Sequence, residues 1–243
     1  MTEVEAIERA TLAAVAPPAS TEIGGWLLGF DGGAIGRAKC ATPLHHDGSA
    51  SNTLLDEIES AFRARDLAPL FRVADVAGLA KVHEALADKG YKDRQPTLVK
   101  TGSSRVMREV SSETAELVGR PDEAWAGVFL GQGFDPVDGA SRVNALTRGQ
   151  DAIYAQVRDS GRTVAVGVAA FGFGWMSIHG MRTEISRRGE GLAGRILAAL
   201  AGAGQARGIE RAFLQVEEPN LSARALYRRA GLTPIWRYHY WSR

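Results

Sequence analysis

Cysteine is nearly absent. Cys40 is the only one in 243 residues, which excludes an intrachain disulfide and a thiolate metal cluster. Neither sign of charge is in surplus: 29 basic against 28 acidic residues leave a net charge of +1. That balance gives no support for nucleic acid as the main partner. No apolar run approaches the ~20 residues of a membrane span. The chain opens on Glu3 and Glu5 without a basic-then-apolar leader pattern, so a cytoplasmic protein with no membrane partner is expected. The phosphate-loop ending Gly-Lys-Ser/Thr is missing. His45, His46 and Asp47 stand together, but sequence neighbours rarely face one site and no third ligand is evident, so no metal is expected.

Glycine is plentiful, with 28 residues against about 17 at the usual ~7%. The densest cluster organises the chain. It reads Arg187-Arg188-Gly189-Glu190-Gly191-Leu192-Ala193-Gly194-Arg195. A strand is predicted before it, Trp175 to Ile185, and an Ala-rich helix after it, Leu192 to Ala206. The glycines therefore fall where the first helical N–H groups lack partners. Small residues let a ligand approach that backbone. The N–H groups and the helix dipole favour an anion, and the arginines add forked donors. The stretch suits a phosphate or pyrophosphate.

Two further readings organise the rest. Residues 3 to 15, 52 to 66 and 76 to 89 have helical periodicity. Gly25–Phe30, Leu70–Val73 and Tyr91–Val99 read as strands, with a hairpin at Asp31-Gly32-Gly33 leading into a strand over Ala34–Ala41. Pro43 to Ser51 reads as loop. Beyond Thr101-Gly102-Ser103-Ser104, a candidate junction, the pattern predicts a short helix over Glu113–Val118 and a loop over Gly127–Asp138. Strands follow at Ala152–Arg158 and Thr163–Ala170. At the C-terminal end comes strand Phe213–Val216, helix Asn220–Arg229, Gly231, then extended Pro234–Tyr240. The order strand, helix, glycine, strand occurs at both Val73–Gly90 and Val216–Gly231, which we read as an internal duplication.

Two motifs in this order resemble the GNAT superfamily of acyl-CoA N-acetyltransferases. The first is Arg188-x-x-Gly191-x-Ala193. The second is Gln215-Val216-Glu217-x-x-Asn220-x-x-Ala223-x-x-Leu226-Tyr227-x-x-x-Gly231-Leu232. The resemblance covers residues 125 to 243 well and the first half faintly. It implies a mixed α/β fold with a mostly antiparallel sheet, in two tandem GNAT-like domains: a degenerate one over 1–104 and a catalytic one over 105–243. It implies acetyl-CoA as co-substrate, gripped by Arg187, Arg188, Gly189, Glu190, Gly191, Leu192, Ala193, Gly194 and Arg195. It places Met181 and Thr183, past a bulge at Gly174 or Gly180, together with Asn220 and Ala223, along the pantetheine arm. Tyr227 is the expected acid for the leaving thiolate.

For the base, Glu217 is preferred over His179, and Glu184 reads as a loop charge. The aromatic run Trp236–Trp241 suits either an acceptor pocket or a packed edge strand. The implied activity is direct acetyl transfer to a primary amine, on a small molecule or a peptide, by a monomer or homodimer. The alternative is a catalytically silent acyl-CoA-binding or regulatory module.

Overall fold

The computed structural model of the chain describes residues 1–48 and 50–243. Ser49, inside the expected 43–51 loop, lies outside the described residues.

The chain opens with α1 (Glu3–Val15). The Thr2 hydroxyl caps it by accepting from the Glu5 N–H at 3.2 Å, and Glu3 and Glu5 sit at the positive end of its dipole. It stops at Ala16, whose φ is 33°, immediately before Pro17. A hairpin follows, β1 (Ala19–Ile23) and β2 (Trp26–Phe30). Its two turn residues, Gly24 and Gly25, have φ of 52° and 81°, the backbone that a tight hairpin demands. The expected strand over Ala34–Ala41 is not formed. Asp31 engages Arg148 and the Gly33 N–H, and Gly36–Ala38 is a single 3₁₀ turn. Strand β3 is only Ala41–Pro43.

Next come α2 (Asn52–Arg63), β4 (Phe71–Ala74), α3 (Ala80–Asp88), β5 (Lys92–Ser103) and α4 (Ser104–Arg108). The expected junction at 101–104 is therefore the end of β5 and the first residue of α4. Glu113–Val118 is not a helix: residues Glu116–Val118 form β6, because β7 offers them an open edge at Tyr154–Gln156. The expected Gly-rich loop holds over residues 128–135, and its ends belong to α5 (Glu123–Gly127) and α6 (Pro136–Arg148). Asp135 caps α6 through the N–H groups of Val137 and Asp138. Pro136 thus opens a helix, where its missing N–H costs nothing, and does not break one.

The remaining elements are β7 (Ala152–Asp159), β8 (Arg162–Gly172), β9 (Trp175–Thr183), α7 (Leu192–Ala206), β10 (Arg211–Glu217), α8 (Leu221–Arg229) and β11 (Thr233–Ser242).

The eleven strands of the described residues form one sheet, ordered β1-β2-β3-β4-β11-β5-β10-β9-β8-β7-β6. The centre is an exchange. Strand β11, from the end of the chain, lies between β4 and β5. Strand β5, from the first half, lies between β11 and β10. Each duplicated unit thus places its last strand beside the other unit's preceding strand. Helices cover both faces. On one, α7 packs Leu192, Ile196, Leu197 and Leu200 against Ala165, Ile178, Leu214 and Val216. On the other, α1 lays Ala6, Ile7 and Ala10 over Val99, Trp175, Phe213, Tyr238 and Tyr240. The first half's helices enclose a separate core of Leu55, Ile58, Phe62, Phe71, Val82 and Leu86.

Candidate active site

The sheet opens at its middle. Strands β9 and β10 run parallel and pair only from Met176–Ile178 to Ala212–Leu214. Beyond that, β9 continues along β8 to Thr183, while β10 continues along β5 to Glu217. The bulge expected in the third strand lies here. Gly180 and Met181 together oppose Gly167, and Gly180 has φ of 58°. A side chain at Gly180 would come within 2.6 Å of Leu146, so glycine is required by both backbone and space. Splay and bulge together leave a wedge between the strands.

The wedge is a cavity of ≈ 510 Å³ that passes from one face of the sheet towards the other. On the α7–α8 side it is lined by Val216, Met181, the α8 cap Asn220 and two residues of α8, Ala223 and Tyr227. Their spacing of three and four places them on one helical face. Asn220 caps α8, its side-chain oxygen accepting from the Ala223 N–H at 3.2 Å. The Tyr227 ring is buried, and its hydroxyl has no hydrogen-bond partner among the described residues. Burial pushes its pKa up to about 12. On the α1 side the lining includes His179, Gln215, Tyr238 and Tyr240. Gln215 is fixed by Tyr238 Oη–H at 2.9 Å and by its own donation to Thr11 at 3.0 Å. His179 is 3% exposed, and neither ring nitrogen has a partner among the described residues. Burial and the nearby Arg37 hold its pKa well below the ordinary histidine range, so the imidazole is neutral.

Glu217 stands exposed at the cavity mouth, where its carboxylate accepts from Gln95 Nε2 at 2.9 Å. Thr183 is paired with Ala165 further along β9 and is not among the lining residues. Glu184, the expected loop charge, pairs with Arg162 at 2.8 Å.

The glycine cluster lies between the end of β9 and the start of α7. Gly189, Glu190 and Gly191 are exposed, and the two glycines have φ of 89° and 79°. Among the described residues, the N–H groups of Gly189, Glu190, Gly191, Leu192 and Ala193 donate to no protein acceptor; the first bonded amide is that of Gly194, to the Gly191 carbonyl at 2.9 Å. Five neighbouring donors thus converge at the start of α7, and no atom lies within 4 Å of where a Gly191 side chain would begin. The arginines differ from one another. Arg187 is held by Glu190 at 2.7 Å and Asp159 at 2.6 Å. Arg195 is held by Glu113 at 3.0 Å. Arg188 has no ion-pair partner among the described residues; its guanidinium lies 5.9 Å from the Phe134 ring.

Sequence reading missed the contribution of the first half. Arg37, Lys39, Arg94, Gln95 and Thr97 all line the cavity. No motif marks them; the strand exchange and the crossing of α1 bring them there. Arg142 and Arg182 were missed as well. The cations of Arg37, Arg142 and Arg182 belong to the α1 side, where α6 also packs.

This architecture is that of the GNAT N-acetyltransferases. A GCN5-related N-acetyltransferase from Kribbella flavida superposes with a TM-score of 0.71 at 19% identity, covering 100% of this chain and 96% of that one. A tandem GNAT protein from the clavulanic acid biosynthesis pathway gives 0.61 at 15% identity, covering 100% and 88%. The family model described as "Probable histone acetyltransferase Rv0428c C-terminal" matches residues 1–241, and the chain belongs to that family. It is also 25% identical over 248 residues to an uncharacterized N-acetyltransferase, YobR, of Bacillus subtilis (strain 168), covering 99% of this chain and 98% of that protein. Among the described residues, no helix is long and apolar enough to cross a membrane, and no group of three or more potential metal ligands occurs.

Proposed function

We propose that the protein is an acetyl-CoA-dependent N-acetyltransferase that passes the acetyl group directly to a primary amine. The observation that carries this reading is the run of five unpartnered amides at the start of α7, Gly189 to Ala193, in a fold whose splayed β9 and β10 frame a cavity lined by Tyr227. The amides and Arg188 take the diphosphate. Arg187 and Arg195, already paired with carboxylates, hold the loop in shape. The wedge between β9 and β10 admits the pantetheine arm, with Met181, Asn220 and Ala223 beside it; Thr183, which does not line the cavity, plays no part in this reading. The amine enters from the α1 side.

Transfer needs a neutral amine in line with the thioester carbonyl. Cations around the α1 side disfavour an ammonium ion and so favour the nucleophilic form. The released proton passes through water to Glu217 at the mouth. As nitrogen bonds to the carbonyl carbon and the C–S bond breaks, the thiolate takes the Tyr227 hydroxyl proton. A phenol with a pKa of about 12 remains protonated at neutral pH, as an acid must. No protein nucleophile is required; Cys40 is buried among α1-side residues.

We further read residues 1–104 as a degenerate GNAT-like copy and 105–243 as the catalytic one. The paired exchange of β5 and β11 supports that reading, and the first copy supplies one wall of the acceptor side. The test is release of free CoA thiol from acetyl-CoA over an amine library. Tight acetyl-CoA binding without turnover of any amine would leave the silent module in its place.

A further inference from the structure

The acceptor side of the cavity is charged in one direction. Arg37, Lys39, Arg94, Arg142 and Arg182 line it, and Glu217 at the mouth is the only acidic lining residue. Two of the cations are answered within the protein. Arg142 pairs with Asp138 at 2.6 Å, and Lys39 donates to the Gly33 carbonyl at 2.6 Å. Arg182 lies over the Phe134 ring at 4.0 Å and the Phe129 ring at 5.0 Å, with no carboxylate partner. Arg37, half-buried, has no side-chain hydrogen bond or ion pair among the described residues. A desolvated guanidinium without an acceptor is expensive to keep.

Beside Arg37 stands a second unanswered group. The His179 ring is 3% exposed, lines the same cavity, and leaves both nitrogens without a partner among the described residues. Buried polar side chains are satisfied in most proteins, so an orphan on a cavity wall marks a place for a ligand atom. A neutral imidazole has one N–H to give, and Arg37 has a fork of donors. The two arise from different elements, the 3₁₀ turn at Gly36–Ala38 and β9. They share one need, a compact acceptor with negative charge.

We propose that the acceptor is a small amine that also carries a carboxylate, and that Arg37 and the His179 ring N–H bind this carboxylate. The inference rests on the acetyltransferase reading above. Carboxylate binding neutralises an unpaired cation beside the buried His179 ring and leaves the amine directed towards Tyr227. A lysine-rich peptide would find no complementary track, because Glu217 is the sole acid on the wall and is already engaged by Gln95.

The experiment uses the full-length chain, acetyl-CoA and matched pairs of amines that differ only in the carboxylate: amino acids against their decarboxylated counterparts, with a lysine-rich peptide as a third arm. The expected result is kcat/KM at least about tenfold higher for the acid of each pair, expressed mainly in KM. Arg37→Gln shrinks that ratio by about tenfold or more, Arg37→Lys restores part of it, and His179→Gln shrinks it less. Acetyl-CoA affinity, measured by titration on each variant, shows that the variant is folded. Equal or better turnover of the decarboxylated amines or of the lysine-rich peptide overturns the inference while the acetyltransferase reading stands. Acetyl-CoA binding with no carboxylate-bearing amine turned over overturns it as well. Failure to bind acetyl-CoA at all brings down the acetyltransferase reading, and this inference with it.

Discussion

Glu8 of α1 and Arg72 of β4 form an ion pair in the protein interior, with each side chain at most 3% exposed. Their second contact, Nη1 to Oε1, is 3.3 Å, and Arg72 also faces the Tyr238 ring at 4.9 Å. The pair fastens α1, which covers the acceptor side of the sheet, to a strand of the first half. Breaking one side leaves a buried charge alone. Glu8→Ala is therefore expected to destabilise the protein by about 3–5 kcal/mol, read from urea unfolding. Replacing both residues, Glu8→Leu with Arg72→Met, should recover most of that loss.

Gly191→Val tests the amide cradle. The residue sits at φ 79°, with open space where a side chain would point. A valine there strains the backbone and projects over the five donors. Acetyl-CoA affinity should fall by at least about tenfold in calorimetric titration. Far-ultraviolet circular dichroism should remain that of the parent.

Tyr227→Phe separates acid catalysis from packing. The ring is retained and only the hydroxyl is lost, and that hydroxyl makes no hydrogen bond among the described residues. Expected is a drop in kcat of about 10²–10⁴, the usual range for a positioned acid, with acetyl-CoA affinity changed less than twofold. Because burial pushes the phenol up to about 12, the parent's kcat should show no alkaline decline up to about pH 10.

Stability should fall on mild acidification. His179 is buried and neutral, with its pKa well below 6.5; burial and Arg72 push His46 down to about 4. Below pH 6.5 the unfolded chain binds protons that the folded chain refuses, so stability is complete above that pH and declines beneath it. A fully buried histidine costs about 1.4 kcal/mol per pH unit in that window. Unfolding free energies at pH 7.0, 6.0 and 5.0 should show the slope, and His179→Gln should reduce it.

How much of this was legible in the sequence depended on how local the cause was. The glycine loop, α7, α8 and the bulge at Gly180 were readable, because caps, positive-φ glycines and helical spacing act over a few residues. Asn220, Ala223 and Tyr227 share a wall because helical geometry puts them there. Segments whose form depends on distant partners were misread. Glu116–Val118 is a strand because β7 has an edge to fill. Arg37 and Arg94 carry no local signal. They reach the cavity through pairing between residues more than a hundred positions apart, as in Leu98 with Val216.

The traded strands have a consequence for ancestry. Once β5 and β11 had changed places, neither unit could be inherited, spliced or discarded separately, since removing one would strip the other of a central strand.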